Sequence, residues 1–247
     1  MTKKIKHFGL IGKTLEHSFS KHFFTEKFKK ENNPSKYHNF ELKDINLFPD
    51  LIQQHPGLAG LNVTIPYKTS IIPYLDNLDP IAEKINAVNT ILLKDENKIG
   101  FNTDVYGFKQ SIKPFLSNHH ERALILGTGG ASKAVQYVLE EIGIDVAFLT
   151  RMPSQENHFS YDQANQIMMQ HFKLIINTTP LGTFPEVDKH PPIPLHFFGE
   201  NHLIVDLIYN PEETVLVQAA KNSGATTLNG LSMLKHQALK AWEIWNK

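Results

Sequence analysis

Short apolar runs alternate with longer segments of mixed polarity along the whole chain. The run 58–65 is apolar and ends in β-branched residues, so it is predicted to form a buried strand. The segment 20–31 places Phe23, Phe24 and Phe28 on one side of a helix. Because neighbouring parallel strands need crossover helices between them, this strand–helix alternation predicts the α/β fold class.

The same patterns predict the other elements. Apolar β segments occur at 6–11, 37–42, 87–93, 99–102, 123–126, 145–150, 174–177 and 202–206. Helical spacing or capping signals predict helices around 47–52, from Asp79-Pro80, and at 104–116, 131–142, 211–222 and 231–245. A further helix is predicted to start at Pro66. The pattern therefore predicts two successive alternating units.

Several helix ends carry specific signals. Asp79 before Pro80 combines an N-cap residue with proline at the first helical position. Thr103 or Asp104 is predicted to cap the helix that runs to residue 116. Gly143 suits the left-handed position after a helix.

Composition excludes several classes of protein. The 247 residues can bury one large core or two modest ones, and 25 basic residues balance 25 acidic ones. No general field therefore favours nucleic acid or an anionic membrane. No cysteine is present, and no metal-binding pattern was found among the 13 histidines. Without a signal or membrane-spanning pattern, a cytoplasmic location is expected.

A glycine-rich turn follows the predicted strand 123–126. Gly127, Gly129 and Gly130 allow a tight turn and a close approach of backbone amides to a pyrophosphate at the start of the next helix. A glycine turn alone is weak evidence, but its place between a strand and a helix predicts a dinucleotide site.

The end of the next strand indicates which dinucleotide is bound. An NAD site usually has an acidic residue there, whereas 146–153 contains none and Arg151 follows Thr150. An arginine suits the 2′-phosphate of NADP. The alternative is a surface arginine without a ligand.

Polar groups also gather at the end of the strand 58–65. Asn62, Thr64 and Lys68 lie where α/β sheets place their ligand crevices. The plain alternative is a strand end followed by a solvated lysine.

Several motifs together resemble the shikimate dehydrogenase family. They are His17-Ser18-Phe19-Ser20, Asn62 to Lys68, Ala87-Val88-Asn89-Thr90, Gly100 to Asp104, Gly127 to Ser132, and Gly230 to Ala238. The resemblance implies two α/β domains separated by a cleft. They are a substrate-binding domain of residues 1–102 plus 231–247 and a Rossmann-type NADP-binding domain of residues 103–230. It also implies reversible, NADP-dependent reduction of 3-dehydroshikimate to shikimate.

The resemblance assigns roles to individual residues. Lys68 and Asp104 are the implied catalytic pair, since an ammonium beside a forming oxyanion can stabilise it and deliver a proton. Shikimate has one carboxylate and three hydroxyls, and the implied substrate-binding residues are mostly neutral: Ser18, Ser20, Asn62, Thr64, Asn89, Tyr209 and Gln237. The implied cofactor-binding residues are Gly127, Thr128, Gly129, Gly130, Ala131, Thr150, Arg151, Asn177, Thr178, Gly230 and Met233.

Other interpretations remain open at this point. Ser18 and Ser20 also suit helix capping, and Tyr209 suits core packing. The chain departs from the family at Thr14 and Lys21, where proline is common, and at Asn86, where glycine is common. Asn86 tolerates a positive φ. The alternative functions are an NAD-using quinate/shikimate dehydrogenase and a noncatalytic NADP-binding sensor. The oligomeric expectation is a monomer or a homodimer.

Overall fold

The computed structural model describes residues 5–15 and 18–246. The chain divides into two compact units, one of Met1–Tyr106 with Gln237–Lys247 and one of Gly107–His236. The sequence predicted domain limits at 102/103 and 230/231, whereas the chain passes between the compact units inside two helices, α4 (Thr103–Ile112) and α8 (Leu231–Trp245). The assignment of separate functions to the two parts stays a prediction.

The first unit contains a six-stranded mixed sheet of order β2-β1-β3-β5-β6-β4. Its strands are β1 (His7–Gly12), β2 (Lys36–Glu41), β3 (Leu58–Val63), β4 (Asn77–Leu78), β5 (Thr90–Lys94) and β6 (Asn97–Phe101). β1 pairs in parallel with β2 and β3, while β5 runs antiparallel to β3 and β6. The helices are α1 (Phe19–Lys30), α2 (Phe48–Gln54) and α3 (Pro80–Ile85). The α/β class is confirmed.

Aromatic packing attaches the C-terminal helix to this first sheet. Trp245 is 2% exposed, stacks on Phe8 at a ring-centroid distance of 4.8 Å, and donates its indole N–H to the Ile91 carbonyl at 3.0 Å. A side chain on Gly60 would collide with the same indole, since its Cβ would lie 2.2 Å from the Trp245 nitrogen. The last residues of the chain therefore complete the core of the first unit.

The second unit contains a fully parallel six-stranded sheet of order β12-β11-β10-β7-β8-β9. Its strands are β7 (Arg122–Leu126), β8 (Asp145–Leu149), β9 (His158–Phe159), β10 (Leu174–Asn177), β11 (Leu203–Asp206) and β12 (Thr226–Asn229). The helices are α5 (Gly130–Glu141), α6 (Gln166–His171) and α7 (Val215–Asn222). Counted from β7, this is the 3-2-1-4-5-6 order of dinucleotide-binding sheets, whose ligand crevice lies where the order reverses.

Some predicted elements were wrong. β3 ends at Val63, and Ile65 is 73% exposed. Turns rather than a helix follow Pro66. α7 starts at Val215, not at residue 211, because Thr214 supplies the cap. β4, β9, β12 and α6 were not predicted, since their apolar runs are too short to stand out.

Local backbone signals were more reliable. The Asp79 side chain accepts a hydrogen bond from the Ile81 amide at 3.0 Å. Asn86 ends α3 in the left-handed conformation with φ 51°, and Gly143 adopts φ 81° after α5. These predictions are confirmed. No helix in the described part of the chain is long and apolar enough to cross a membrane.

We predict that stability falls in mild acid, with a contribution from His202. Gly199 N–H donates to its Nδ1 at 3.0 Å, and its Nε2 lies 2.8 Å from the Met169 carbonyl, so the neutral ring suits both contacts. Burial lowers the pKa of His202. The unfolded chain then binds more protons, so this stabilisation is present above a pH of about 6.5 and is lost as pH falls below it.

The measurement is the thermal unfolding midpoint between pH 5 and pH 8. His202→Gln is expected to flatten the curve, because glutamine does not titrate. The exposed His196→Gln is the control and should leave the slope unchanged. An equal slope in the wild type and His202→Gln would contradict the assignment.

Candidate active site

An ion pair links the loop after β3 to the first turn of α4. The Lys68 ammonium donates to Asp104 Oδ2 at 2.6 Å, and the two side chains are 16% and 9% exposed. The Lys68 carbonyl accepts from the Val88 amide at 2.7 Å, which fixes the backbone below the ammonium. Because an ammonium has three N–H donors, Lys68 keeps donors for a further oxygen.

Asn89 holds the other side of the Asp104 carboxylate. Its amide nitrogen donates to Asp104 Oδ1 at 2.8 Å, and its Oδ1 accepts from the Thr103 backbone amide at 2.7 Å. The hydroxyls of Thr90 and Thr103 each lie 3.2 Å from the same Oδ1. Asn89, Thr90 and Thr103 are all buried. Asn89 therefore orients the carboxylate rather than standing as an isolated polar group.

A second buried layer supports Asn89. Asn62 donates to the Asn89 carbonyl at 3.2 Å and to Thr90 Oγ1 at 3.1 Å, and it accepts from the Tyr37 hydroxyl at 2.8 Å. Burial raises the pKa of the Tyr37 phenol, against a hydrogen bond with Ser20 that lowers it. Both amide protons of Asn62 are thus used inside the protein. Only its oxygen keeps a lone pair for the substrate contact that the sequence predicts.

The two serines occupy different environments. Ser18 is the N-cap of α1 and accepts from the Lys21 amide at 3.3 Å, so the capping interpretation is confirmed for it. Ser20 lies within the helix and is buried next to Tyr37. His17 of the same motif lies outside the described residues. Both serine hydroxyls can form a further hydrogen bond to a ligand while keeping these contacts.

Thr64 and Gln237 complete the predicted substrate residues of the first unit. Thr64 is half-buried directly after β3, and its amide donates to the Ile11 carbonyl at 2.9 Å. Gln237 is buried, and its Oε1 accepts from the Thr103 hydroxyl at 3.2 Å. Through Thr103, the last helix thus joins the hydrogen-bond network around Asp104.

The start of α4 differs from the prediction. The cap bond comes from Asn102, whose Oδ1 accepts from the Val105 amide at 3.2 Å, and not from Thr103 or Asp104. Asn102 also donates to the Ala87 carbonyl at 3.0 Å. Because Asn102 serves as the cap, the Asp104 carboxylate is available to Lys68. Its negative charge in the first helical turn is also favourable to the helix dipole.

In the second unit, the glycine loop follows β7 at the reversal of strand order. Gly127 has φ 91°, and a Cβ there would lie 2.8 Å from the Thr179 side chain, so glycine is required. Thr128 and Gly129 are exposed, while Gly130 starts α5 and Ala131 follows it. No atom lies within 4 Å of a Cβ built on Gly129. This exposed turn at a helix N-terminus fits a pyrophosphate.

The loop after β10 is hydrogen-bonded to the end of β7, next to the glycine loop. Thr178 donates its hydroxyl to the Leu126 carbonyl at 2.7 Å. Asn177 is fully buried; it accepts from the Thr179 amide at 3.0 Å and donates to Asp206 Oδ1 at 3.0 Å. The buried Asn177 side chain therefore holds this loop through internal hydrogen bonds, and its predicted contact with a cofactor stays a prediction.

Of the three residues directly after β8, one presents a polar side chain to solvent. Thr150 is buried, Arg151 is exposed, and Met152 is 81% exposed. Arg151 forms no ion pair with another described residue. Burial raises the pKa of Tyr161, and the positive charge of Arg151 opposes part of this increase. Recognition of a 2′-phosphate at this strand end would therefore depend mainly on Arg151.

The remaining predicted residues lie near the end of the second unit. Tyr209 is half-buried and makes contacts within the protein. A Cβ on Gly230 would come within 2.0 Å of the Leu207 carbonyl oxygen, so only glycine permits this approach. Met233 is buried in the first turn of α8. No group of three or more metal-ligating side chains is found among residues 5–15 and 18–246.

Comparison with known proteins decides the family. Residues 10–91 match the model of the shikimate dehydrogenase substrate binding domain. The chain is 39% identical to the NADP(+) shikimate dehydrogenase of Methanosphaera stadtmanae, over 96% of this chain and 90% of that protein. The chain belongs to the shikimate dehydrogenase family. The predicted resemblance is therefore confirmed.

Solved structures of the same family share the fold. The shikimate 5-dehydrogenase of Thermus thermophilus, in complex with NADP(H) and shikimate, is 28% identical with a TM-score of 0.87, covering 98% of this chain and 93% of that one. The shikimate 5-dehydrogenase of Listeria monocytogenes, in complex with shikimate and NAD, is 27% identical with a TM-score of 0.87. The match covers 100% of this chain and 94% of that one.

The sequence did not indicate the residues that support the candidate site. In the sequence, Thr90 stands out only as part of a motif, Thr103 only as a motif residue and possible helix cap, and Tyr37 only as the first residue of a predicted strand. Asp206 and Thr214 form a similar buried network in the second unit, where Thr214 donates to Asp206 Oδ2 at 2.6 Å. The only available signal was the position of these polar residues beside strand ends.

We predict that Asn89→Ala destabilises the first unit. The substitution leaves the Thr103 amide and one Asp104 oxygen buried without a partner, and each such group costs about 1–3 kcal/mol. Denaturant unfolding gives the free energy of unfolding. Asn97→Ala, at the exposed first residue of β6, is the control and should change it by less than about 1 kcal/mol. Equal values for both variants would contradict the supporting role of Asn89.

Proposed function

We propose that this chain is an NADP-dependent oxidoreductase that reversibly reduces 3-dehydroshikimate to shikimate, a step of aromatic amino-acid biosynthesis. The Lys68–Asp104 ion pair carries this proposal. Its ammonium is held by a carboxylate that is itself oriented by Asn89, and N–H donors remain for a substrate oxygen. The names of the relatives support the substrate, and the family membership supports the reaction.

The proton chemistry is carried by Lys68. Bound NADPH supplies a hydride to the carbonyl carbon and becomes NADP⁺. As the carbonyl π bond breaks, the oxygen gains negative charge, and the Lys68 ammonium stabilises it and delivers the proton. Lysine then regains a proton from water. In the oxidation direction the same nitrogen accepts the hydroxyl proton. Asp104 keeps the ammonium in position through the cycle.

Neutral groups would bind the rest of the substrate. We assign the carboxylate to the hydroxyls of Ser18 and Ser20, and the ring hydroxyls to Asn62, Thr64, Asn89 and Gln237. The free lone pair of Asn62 and the second amide proton of Asn89 support this assignment, because each can add one hydrogen bond without losing an internal one. Tyr209 is assigned to the substrate by family likeness.

The second unit has the features expected for NADP. The exposed turn from Gly127 to Gly130 would hold the pyrophosphate, and Arg151 would bind the 2′-phosphate. Thr128, Ala131, Thr150, Thr178, Gly230 and Met233 are assigned to the cofactor by family likeness, and Asn177 is assigned to the loop that supports them. This division supports a substrate-binding domain and a separate nucleotide-binding domain.

One observation favours a second candidate function. Among Thr150, Arg151 and Met152, only Arg151 presents an exposed polar group, so discrimination between NADP and NAD depends on few contacts. An NAD-using quinate/shikimate dehydrogenase is the resulting alternative. The noncatalytic sensor is disfavoured, because it has no need of the buried Lys68–Asp104 pair. A cytoplasmic location and a monomeric or homodimeric state belong to the proposal as well.

We predict that Lys68→Met lowers kcat for shikimate oxidation by about two to four powers of ten, the usual contribution of a positioned acid or base. Initial rates are followed at the absorbance of the reduced nicotinamide. The exposed Lys94→Met is the matched control and should retain wild-type turnover. A thermal unfolding midpoint confirms that each variant is folded. Near-normal kcat in folded Lys68→Met would remove Lys68 from the proton step.

We predict that Arg151→Ala raises KM for NADP by about 10- to 150-fold, the value of one charge-assisted hydrogen bond. KM for NAD should change far less, because NAD has no 2′-phosphate. The control is Arg122→Ala. Arg122 is the first residue of β7, whereas Arg151 follows the last residue of β8, and the Arg122 guanidinium is hydrogen-bonded to His171. Equal increases for both cofactors would show that Arg151 does not recognise the phosphate.

A further inference from the structure

A cavity of about 500 Å³ lies beside the N-terminus of α1 in the first unit. Its polar lining comes from Ser18, Lys21, His22, Thr25, Asn39 and Glu41. Ser18 belongs to the proposed substrate site, whereas no role has been assigned to the others. The cavity therefore extends the site on the side where the substrate carboxylate is expected.

Within the described residues, no neighbouring side chain neutralises the charge of Lys21. Its ammonium forms no hydrogen bond or ion pair with any residue in 5–15 or 18–246. Glu41 lines the same cavity, but its carboxylate accepts from the Leu15 amide at 2.6 Å instead of pairing with Lys21. A cationic side chain thus faces the cavity with no partner in the part of the chain that the structure describes.

The position of Lys21 in its helix is electrostatically unfavourable without a ligand. It lies in the first turn of α1, which contains no acidic residue, and the positive end of the helix dipole repels a cation there. The last turn, where cations are favourable, already contains Lys27, Lys29 and Lys30. An anion bound near Ser18 would turn this repulsion into attraction.

The hydrogen bonding of Ser18 is compatible with such an anion. Its Oγ accepts from the Lys21 backbone amide at 3.3 Å, which leaves the hydroxyl proton free to point elsewhere. A carboxylate can therefore accept the Ser18 O–H while the Lys21 ammonium supplies the positive charge. Hydroxyls alone would hold the same group without a formal countercharge.

We propose that Lys21 is a specificity-determining residue that binds the substrate carboxylate from the cavity beside Ser18. This proposal rests on the proposed function, since it concerns the same substrate. It adds a cation to the carboxylate contact, which is otherwise assigned to the hydroxyls of Ser18 and Ser20. The ligand class is a cyclic polyol that carries a carboxylate, and an uncharged ester of that polyol should bind less well.

The test compares KM and kcat for shikimate and for shikimate methyl ester with NADP. Lys21→Ala should raise KM for shikimate about 3- to 10-fold, between the value of an exposed ion pair and that of a charge-assisted hydrogen bond. KM for the ester and kcat should stay within about twofold. Lys21→Arg should restore most of the affinity. The matched control is Lys30→Ala, which removes the same charge from the last turn of α1.

A second variant tests the electrostatic cause. Glu41→Gln can keep the hydrogen bond to Leu15 but removes a negative charge from the cavity, so KM for shikimate should fall. In the wild type KM should rise with salt concentration, and in Lys21→Ala this dependence should weaken. A purely structural role of Lys21 would not produce opposite effects at positions 21 and 41.

Two failures can be told apart. If the wild type turns over shikimate but Lys21→Ala and Lys30→Ala have the same KM, the role of Lys21 is overturned and the proposed function stands. If the folded wild type shows no turnover with shikimate and either nicotinamide cofactor, both proposals fall together. A larger KM for the ester in the wild type, with the difference lost in Lys21→Ala, supports the proposal.

Discussion

A carboxylate that is removed from water needs a countercharge and a hydrogen-bond donor for each of its oxygens. In the first unit this requirement applies to Asp104, and several elements meet to satisfy it. One oxygen accepts from the Lys68 ammonium and the other from Asn89. Asn89 is in turn fixed by Thr103 and supported by Asn62. The loop after β3, the start of β5, the first turn of α4 and the last helix are therefore tied to one group.

The second unit also contains a buried carboxylate, that of Asp206, but its described partners are hydrogen-bond donors without a positive charge. Asp206 is fully buried and accepts from Asn177, Thr214 and the Ile208 amide. Burial raises the pKa of Asp206, and these hydrogen bonds oppose the increase. The presence or absence of a paired cation thus distinguishes the roles of the two buried carboxylates. Asp206 organises the loop after β10 and the start of α7, whereas Asp104 positions an ammonium that still has donors to offer.

Local charge, rather than net charge, distinguishes the candidate binding surfaces. The chain has equal numbers of acidic and basic residues. Nevertheless Lys21 and Arg151 stand without ion pairs in the described part of the chain, one beside the serine cap of α1 and one after β8. Each lies next to a backbone feature that also favours anions, a helix N-terminus or a strand end beside a glycine loop. A neutral protein can therefore present two separate anion sites.

The sequence by itself determined what depends on neighbouring residues. Strand–helix alternation predicted the α/β class, Asp79 and Gly143 predicted helix ends, and the motifs predicted the family and the Lys68–Asp104 pair. These signals come from neighbouring residues or from patterns repeated along the chain, so they can be recognised in the sequence alone. Only the tertiary structure decided which polar groups meet. Both Asn62 amide protons are used by Asn89 and Thr90, and Thr103 supports Asn89, because hydrogen-bond partners distant in sequence are chosen by packing.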